Sequence, residues 1–264
     1  MTLLTLLIIA IAAFVAGAVN SIAGGGTFIS FPALTGAAGL SEKIANMTST
    51  IGLWPGSAAG VVAAGPEFKR LPRGIVIAYG VISLIGGVIG SVLLLKTNDR
   101  TFRLVIPWLL AFATIVFGFS KPIARWAGHQ HGKRTPGWTL FVMVMQFAVA
   151  VYGGYFGAGI GVLMLAGLSF AGLDDIHQMN ALKVLLATVI NGSAVVVFMV
   201  AARGSSPADA LNWPLALAMV PASIIGGFFG MRVARAIRQE QLRAVVLVVG
   251  IVLTGVYFYR AYGG

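Results

Sequence analysis

The chain has no cysteine, and only seven of its 264 side chains are acidic. The first absence excludes disulfides, thiol nucleophiles and cysteine-held metals, and says nothing about compartment. Charge of either sign is rare, at 9% of residues, against about 25% in an ordinary soluble domain, so a polar coat cannot be assembled. Chemistry-bearing motifs are missing too. There is no H-E-x-x-H, no Walker lysine loop, no G-x-S-x-G and no G-x-G-x-x-G opening a strand–helix unit. His177 follows Asp174 and Asp175, but one D-D-x-H is not a metal site, and His129 and His131 sit in a basic loop. Without a convergent acid–base constellation, an enzyme is not expected, and no cofactor or metal is expected either.

Apolar sequence fills the space. Hydrophobic residues make up 58% of the chain, and the mean hydropathy is +0.95. Runs of 18 or more apolar residues recur, each a candidate span, which makes the chain an all-α polytopic protein of a cell membrane, as in a bacterial inner membrane. The net charge is +11. Its Lys and Arg lie in short loops between apolar runs, where they orient the chain against an anionic leaflet. Aromatics do not alternate with basic residues, so the partner implied is the lipid bilayer and not nucleic acid. The N-terminus lacks the positive start of a cleaved signal peptide and reads as a retained first span.

Charge placement divides the chain in two. Residues 1–41 carry no charged side chain, and neither do residues 135–173. "SLIGGVIGSVLLLKTNDRTFR" from Ser83 aligns with "SIIGGFFGMRVARAIRQEQLR" from Ser223, matching Gly86, Gly87, Gly90 and Arg103 with Gly226, Gly227, Gly230 and Arg243. The chain therefore reads as a first transmembrane repeat, 1–120, a basic cytoplasmic linker, 121–136, and a second repeat, 137–264. About eight long helices are expected, at 3–23, 44–65, 74–95, 103–120, 137–156, 179–202, 212–232 and 243–260. Two short segments, 27–38 and 160–171, reach about 18 Å at 1.5 Å per residue, less than the roughly 30 Å hydrocarbon core, and read as re-entrant arms or halves of broken helices. If each arm counts as a crossing, the repeats are inverted; if not, they are parallel. Five crossings per half and an outside N-terminus put eleven Lys and Arg inside and six outside, leaving Lys183 aside, which favours inversion. The shortness of the arms argues the other way.

The arms begin where the backbone breaks. "NSIAGGGTFISFP" sets Asn20, Ser21, Gly24, Gly25, Gly26 and Thr27 at the first break, with Pro32 removing a further donor. "YGGYFGAGIG" sets Gly157 and Gly159 at the second. Hydrocarbon cannot satisfy a free N–H or C=O, so irregular backbone at membrane depth must be covered by protein or line a wet cavity. A helix starting at residue 27 offers free N–H groups and the positive end of a dipole, which suits an anion. Matched glycine-broken segments in two halves point to a transport site. Gly86, Gly90, Gly226 and Gly230 read instead as close helix packing. Polar candidates follow each arm: Asn46 and Thr50, one helical turn apart, and Asn180 and Lys183 likewise. Each Asn serves equally well as a site residue or as an interhelical hydrogen bond. Lys183 lies inside an apolar run, where it either neutralises an anion or snorkels to the interface.

"GAVNSIAGGGTFISFPAL", "GLSEKIANMTSTIGLWPGSAAG", "YGGYFGAGIGVLMLAGLSFAGL" and "MNALKVLLATVINGS" resemble the TauE/SafE family of permeases for sulfite and organosulfur anions, along essentially the whole chain. The family is described as eight spans built by duplicating four, which requires the arms to be extras to the count. The resemblance implies a secondary transporter, often an exporter, of a small anion such as sulfite or an organosulfonate. Its site would be formed by Asn20, Gly24, Gly25, Gly26 and Thr27 together with Gly157, Gly159, Asn180 and Lys183. Proton or sodium coupling is left open, and with no acidic residue inside a span the membrane potential alone suffices to drive efflux. An anion channel and a non-transporting scaffold for another membrane complex are the alternatives.

Overall fold

The computed structural model describes residues 2–22, 24–128, 136–170, 175–203, 211–233 and 239–263. Every regular element among them is helical. The first half contains α1 (Leu3–Ile22), α2 (Thr27–Gly36), α3 (Glu42–Ala63), the single turn α4 (Gly65–Phe68), α5 (Arg73–Lys96) and α6 (Asp99–Gly128). The second contains α7 (Pro136–Tyr155), α8 (Ile160–Ser169), α9 (Ile176–Ala202), α10 (Trp213–Val233) and α11 (Gln239–Tyr262). The eight expected long helices are all present, and so are the two short arms. His129, His131, the rest of the linker between 129 and 135, and Asp174 lie outside the described residues, while 121–128 continue α6.

Seven of the long helices are apolar and long enough to cross a membrane. The chain is a multi-pass membrane protein. Long side chains on the rim, among them Leu7, Ile11, Ile77, Val81, Leu84, Val248 and Val252, are exposed, as a lipid-facing surface requires. The eighth, α3, is 22 residues long but too polar to join the seven. It is the central helix, packed on α1, α2, α6, α9 and α10, and its Asn46, Thr48, Ser49 and Ser57 are buried. A helix shielded from lipid on most sides can carry polar groups that a rim helix cannot.

Pro32 lies inside α2 and does not end it. The expectation that it helps interrupt the helix is corrected: among the described residues the break falls at 24–26, and Thr35 Oγ1 donates to Phe31 O at 3.2 Å within the same turn. Pro55 is likewise accommodated inside α3.

The helices interlock between halves. α10 packs on α1 and α3, and α5 packs on α7 and α9. Glycines make this possible, as expected for Gly86, Gly90, Gly226 and Gly230. A Cβ on Gly90 would strike Val151 O of α7, and one on Gly226 would strike Phe14 O of α1. Ser223 Oγ adds a cross-half hydrogen bond to Gly52 O at 2.7 Å, and Gln146 Nε2 donates to Ser83 Oγ at 2.9 Å. Lipid tails are as apolar as leucine, so close backbone contact and buried hydrogen bonds hold such helices together.

The contacts also give chain direction. Gly17 and Gly56 both meet Ser223, and Gly60 meets Ser21 one turn further on, so α1 and α3 run the same way. The segment between them therefore brings the chain back. α3 and α9 run oppositely: Gly60 lies against Val184, while Trp54 lies against Gly192 and donates to Thr188 O at 3.0 Å. α6 and α11 also run oppositely, with Trp108 on Phe258 and Gly118 against Leu247.

Substituting Gly90→Ala is expected to cost about 1–3 kcal/mol by forcing α5 from α7. Gly80→Ala in the same helix, where an added Cβ meets nothing within 4 Å, should change stability by no more than about 0.5 kcal/mol. Thermal unfolding of the two purified variants in one detergent makes the comparison.

Candidate functional site

The two breaks meet. After α1 the chain turns at Gly24, whose φ is +79° and whose N–H donates back to Val19 O at 2.9 Å. A side chain at this φ is strained, and a Cβ here would also collide with Gly161 Cα. Gly161 N donates to Gly24 O at 3.3 Å, so the first break is hydrogen-bonded to the start of α8. Asn20 Oδ1 accepts from Gly26 N at 2.8 Å and covers one donor of the α2 terminus. The second break turns at Gly157 and Gly159, with φ of +76° and +72°. It is held by Tyr152, whose hydroxyl donates to Ala158 O at 2.8 Å.

A small polar cavity opens beside this crossing. It measures ≈ 20 Å³ as the space open to a water's centre, room for about one water. α1 contributes Asn20 and Ser21, and the first break contributes Gly24. Thr27 comes from the first turn of α2, Gly157 from the second break, and Ile160 and Gly161 from α8. Ser57 of α3 and Lys183, Val184, Ala187 and Asn191 of α9 complete the wall. The N-terminal turns of both arms thus border one space, where the positive ends of their dipoles favour negative charge.

Lys183 is 0% exposed, so it does not snorkel. Its Nζ donates to Ser21 O and Ile22 O, each at 3.3 Å, the last carbonyls of α1 and the negative end of that helix. Among the described residues it has no ion-pair partner; the one ion pair found there joins Arg103 to Glu42. An ammonium buried with carbonyls alone lacks a full counter-charge, which costs several kcal/mol unless something supplies one.

The sequence-predicted residues separate cleanly. Asn20, Ser21, Gly24, Thr27, Gly157 and Lys183 are together in the cavity wall. Gly25 faces Val246 and Phe28, Gly26 faces the backbone of Ala16, and Gly159 faces Ala113 and Phe28; these three shape the breaks from behind. Asn46 Nδ2 donates to Tyr155 O at 3.1 Å, capping α7 away from the cavity, and Thr50 Oγ1 returns to Asn46 O in its own helix at 2.9 Å. Asn180 Nδ2 reaches Met231 Sδ at 3.5 Å. Asn46 and Asn180 each keep a buried Oδ1 with no hydrogen bond. Ser57, Gly161 and Asn191 were not predicted. Spacing held the signal for Asn191: Lys183, Ala187 and Asn191 recur every fourth residue and so line one helix face. Ser57 and Gly161 gave none, because their place depends on how the halves cross.

The family model described as "Sulfite exporter TauE/SafE" matches residues 9–258. The chain belongs to the TauE/SafE family. Full-length relatives agree with this placement in TauE/SafE. A "Probable membrane transporter protein ORF9" of Sinorhizobium sp is 26% identical over 245 residues, covering 92% of this chain and 88% of that one. A "Probable membrane transporter protein" of Haemophilus influenzae is 24% identical, covering 93% and 91%. The "Probable membrane transporter protein YfcA" of Escherichia coli K12 is 24% identical, covering 95% and 88%. The TauE/SafE chain described here is accordingly a membrane transporter, and its relatives are named as transporters and not as enzymes.

Gly24→Ala is expected to lower stability by at least about 1–3 kcal/mol, since the new methyl meets both a left-handed φ and the Gly161 backbone. Gly36→Ala, at the end of the same arm with nothing within 4 Å of an added Cβ, serves as the control in the same melting experiment.

Proposed function

We propose that the protein is a secondary transporter of a small oxyanion, sulfite or an organosulfonate, bound between the two halves at the crossing of the broken helices. The carrying observation is the cavity bordered by the N-terminal turns of α2 and α8 with Lys183 in its wall. Two dipole ends and one ammonium supply positive potential. Asn191 offers an amide in place of water, while the Ser21 and Ser57 hydroxyls already donate to Gly227 O and Leu53 O. Space for one water is less than a sulfite needs, so loading requires the lining to part, which suits alternating access. The description of the matched family names sulfite, and that substrate class comes to this chain as part of the proposal.

The halves are inverted repeats in this reading. Its support is that α3 opposes α9 and α6 opposes α11, as a two-fold axis in the membrane plane demands, while α1 and α3 run together. Each arm then completes a crossing. The absence of cysteine makes the test simple. Cysteines introduced at Ala37, shortly before α3, and at His177, in the first turn of α9, should react with a membrane-impermeant maleimide from opposite faces. Labelling from the same face would refute the inversion.

Transport is tested in proteoliposomes with radiolabelled sulfite. Uptake should saturate and be stimulated by sulfite on the far side; fast, unsaturable flux would instead identify a channel. Lys183→Met should weaken half-saturation by about 10–100-fold, the worth of one charge-assisted hydrogen bond at about 1.5–3 kcal/mol. Wild-type kinetics in that variant would remove Lys183 from the site.

A further inference from the structure

Lys183 is held in a manner that suits two protonation states. An ammonium has three N–H donors, and a neutral amine has two with one lone pair. Two carbonyls, Ser21 O and Ile22 O, accept from Nζ, and the side chain also borders the cavity. Removing one proton therefore leaves both ends of α1 contacts intact, and the proton that can leave is the one not given to a carbonyl.

Among the described residues, no fixed charge stands in for the anion in the cavity wall. α1 and α8 carry no charged residue. The Glu42 and Lys43 of α3 are engaged elsewhere, Glu42 with Arg103 and Lys43 Nζ with Leu95 O and Thr97 O. Glu67 of α4 is not part of the cavity wall. Tyr79 of α5 packs in an apolar cluster with Leu182 and Leu186, and Tyr152 and Tyr155 of α7 donate to Ala158 O and Thr97 Oγ1. On α9 itself, Asp175 accepts from His177 N in the first turn. None of these lines the cavity. The C-terminus of α1 offers about half a negative charge, which falls short of a full counter-ion.

We infer that Lys183 carries one proton with each anion, so that the co-transported ion is a proton and its carrier is the amine in the site wall; this rests on the transport reading above. Loading pairs the anion with an ammonium, as the nitrogen lone pair takes a proton from water on the side the cavity faces. Release returns the proton to water on the other side with the anion. Nothing is oxidised or reduced. The empty and loaded sites both hold no net charge, so both can cross the low-dielectric interior at low cost. An acidic residue is not needed for this coupling.

The probe is isethionate, which stays a monoanion across the working pH range, so any pH effect belongs to the protein. Wild-type proteoliposomes are clamped at zero potential. An interior one pH unit more alkaline should accumulate isethionate about tenfold, the linkage value for one proton per anion, and an entrapped pH dye should report proton entry. Isethionate exchange without accumulation or proton movement overturns the inference and leaves the transport reading standing. No exchange of either isethionate or sulfite overturns both. In Lys183→Arg the guanidinium cannot release its proton, so the ratio of net uptake to exchange should fall by about tenfold or more; an unchanged ratio overturns the inference. Should that variant not fold, His177→Gln decides: coupling retained supports Lys183, and coupling lost moves the proton to the histidine and overturns it.

Discussion

Inside a bilayer, a peptide group that loses its helical partner cannot turn to water instead. This chain breaks two helices at membrane depth, and everything around the breaks answers that constraint. Asn20 takes the Gly26 N–H, Tyr152 gives to Ala158 O, and Gly24 O accepts from Gly161 N. Lys183 takes two carbonyls at the end of α1, and Asn46 takes the final carbonyl of α7. In each half the second long helix, α3 or α9, caps the broken helix of the other half, so neither break is fully satisfied until both halves are in place.

That reciprocity explains the interlocked packing. If α10 lay against its own half, its glycines would have no α1 and α3 backbones to admit, and if α5 did so, those of α7 and α9 would be missing. Close backbone contact substitutes for the hydrophobic force that lipid removes. The same contact keeps α3 and α9 central, where polar residues are tolerated. At the cavity beside the crossing, polar side chains from α1, α3 and α9 face each other without lipid.

The arrangement places positive potential without any acidic partner. Two helix starts and one ammonium border the cavity, while the seven acidic side chains sit outside the apolar runs. In the transport reading proposed above, a small anion bound there completes the charge balance.

Much of this was legible in the sequence, for a physical reason. Period and length of apolar runs fix helices in lipid more firmly than in water, because nothing else satisfies the backbone there. The long helices, the arms and the glycine breaks followed from those patterns alone. So did six members of the cavity wall, because broken backbone near polar side chains has few uses in hydrocarbon. Pro32 misled because a proline within a short helix forfeits only one bond. Asn46, Thr50 and Asn180 stayed open in the sequence because a polar side chain in a span signals a partner without saying whether it is a ligand or a carbonyl. Which way each side chain faces, that Gly25, Gly26 and Gly159 support the breaks from behind while Ser57, Gly161 and Asn191 reach the cavity, and that Lys183 is buried on the end of α1, depended on how the halves cross. Only the tertiary structure decided that, since the crossing is set by glycine contacts between segments far apart in the sequence.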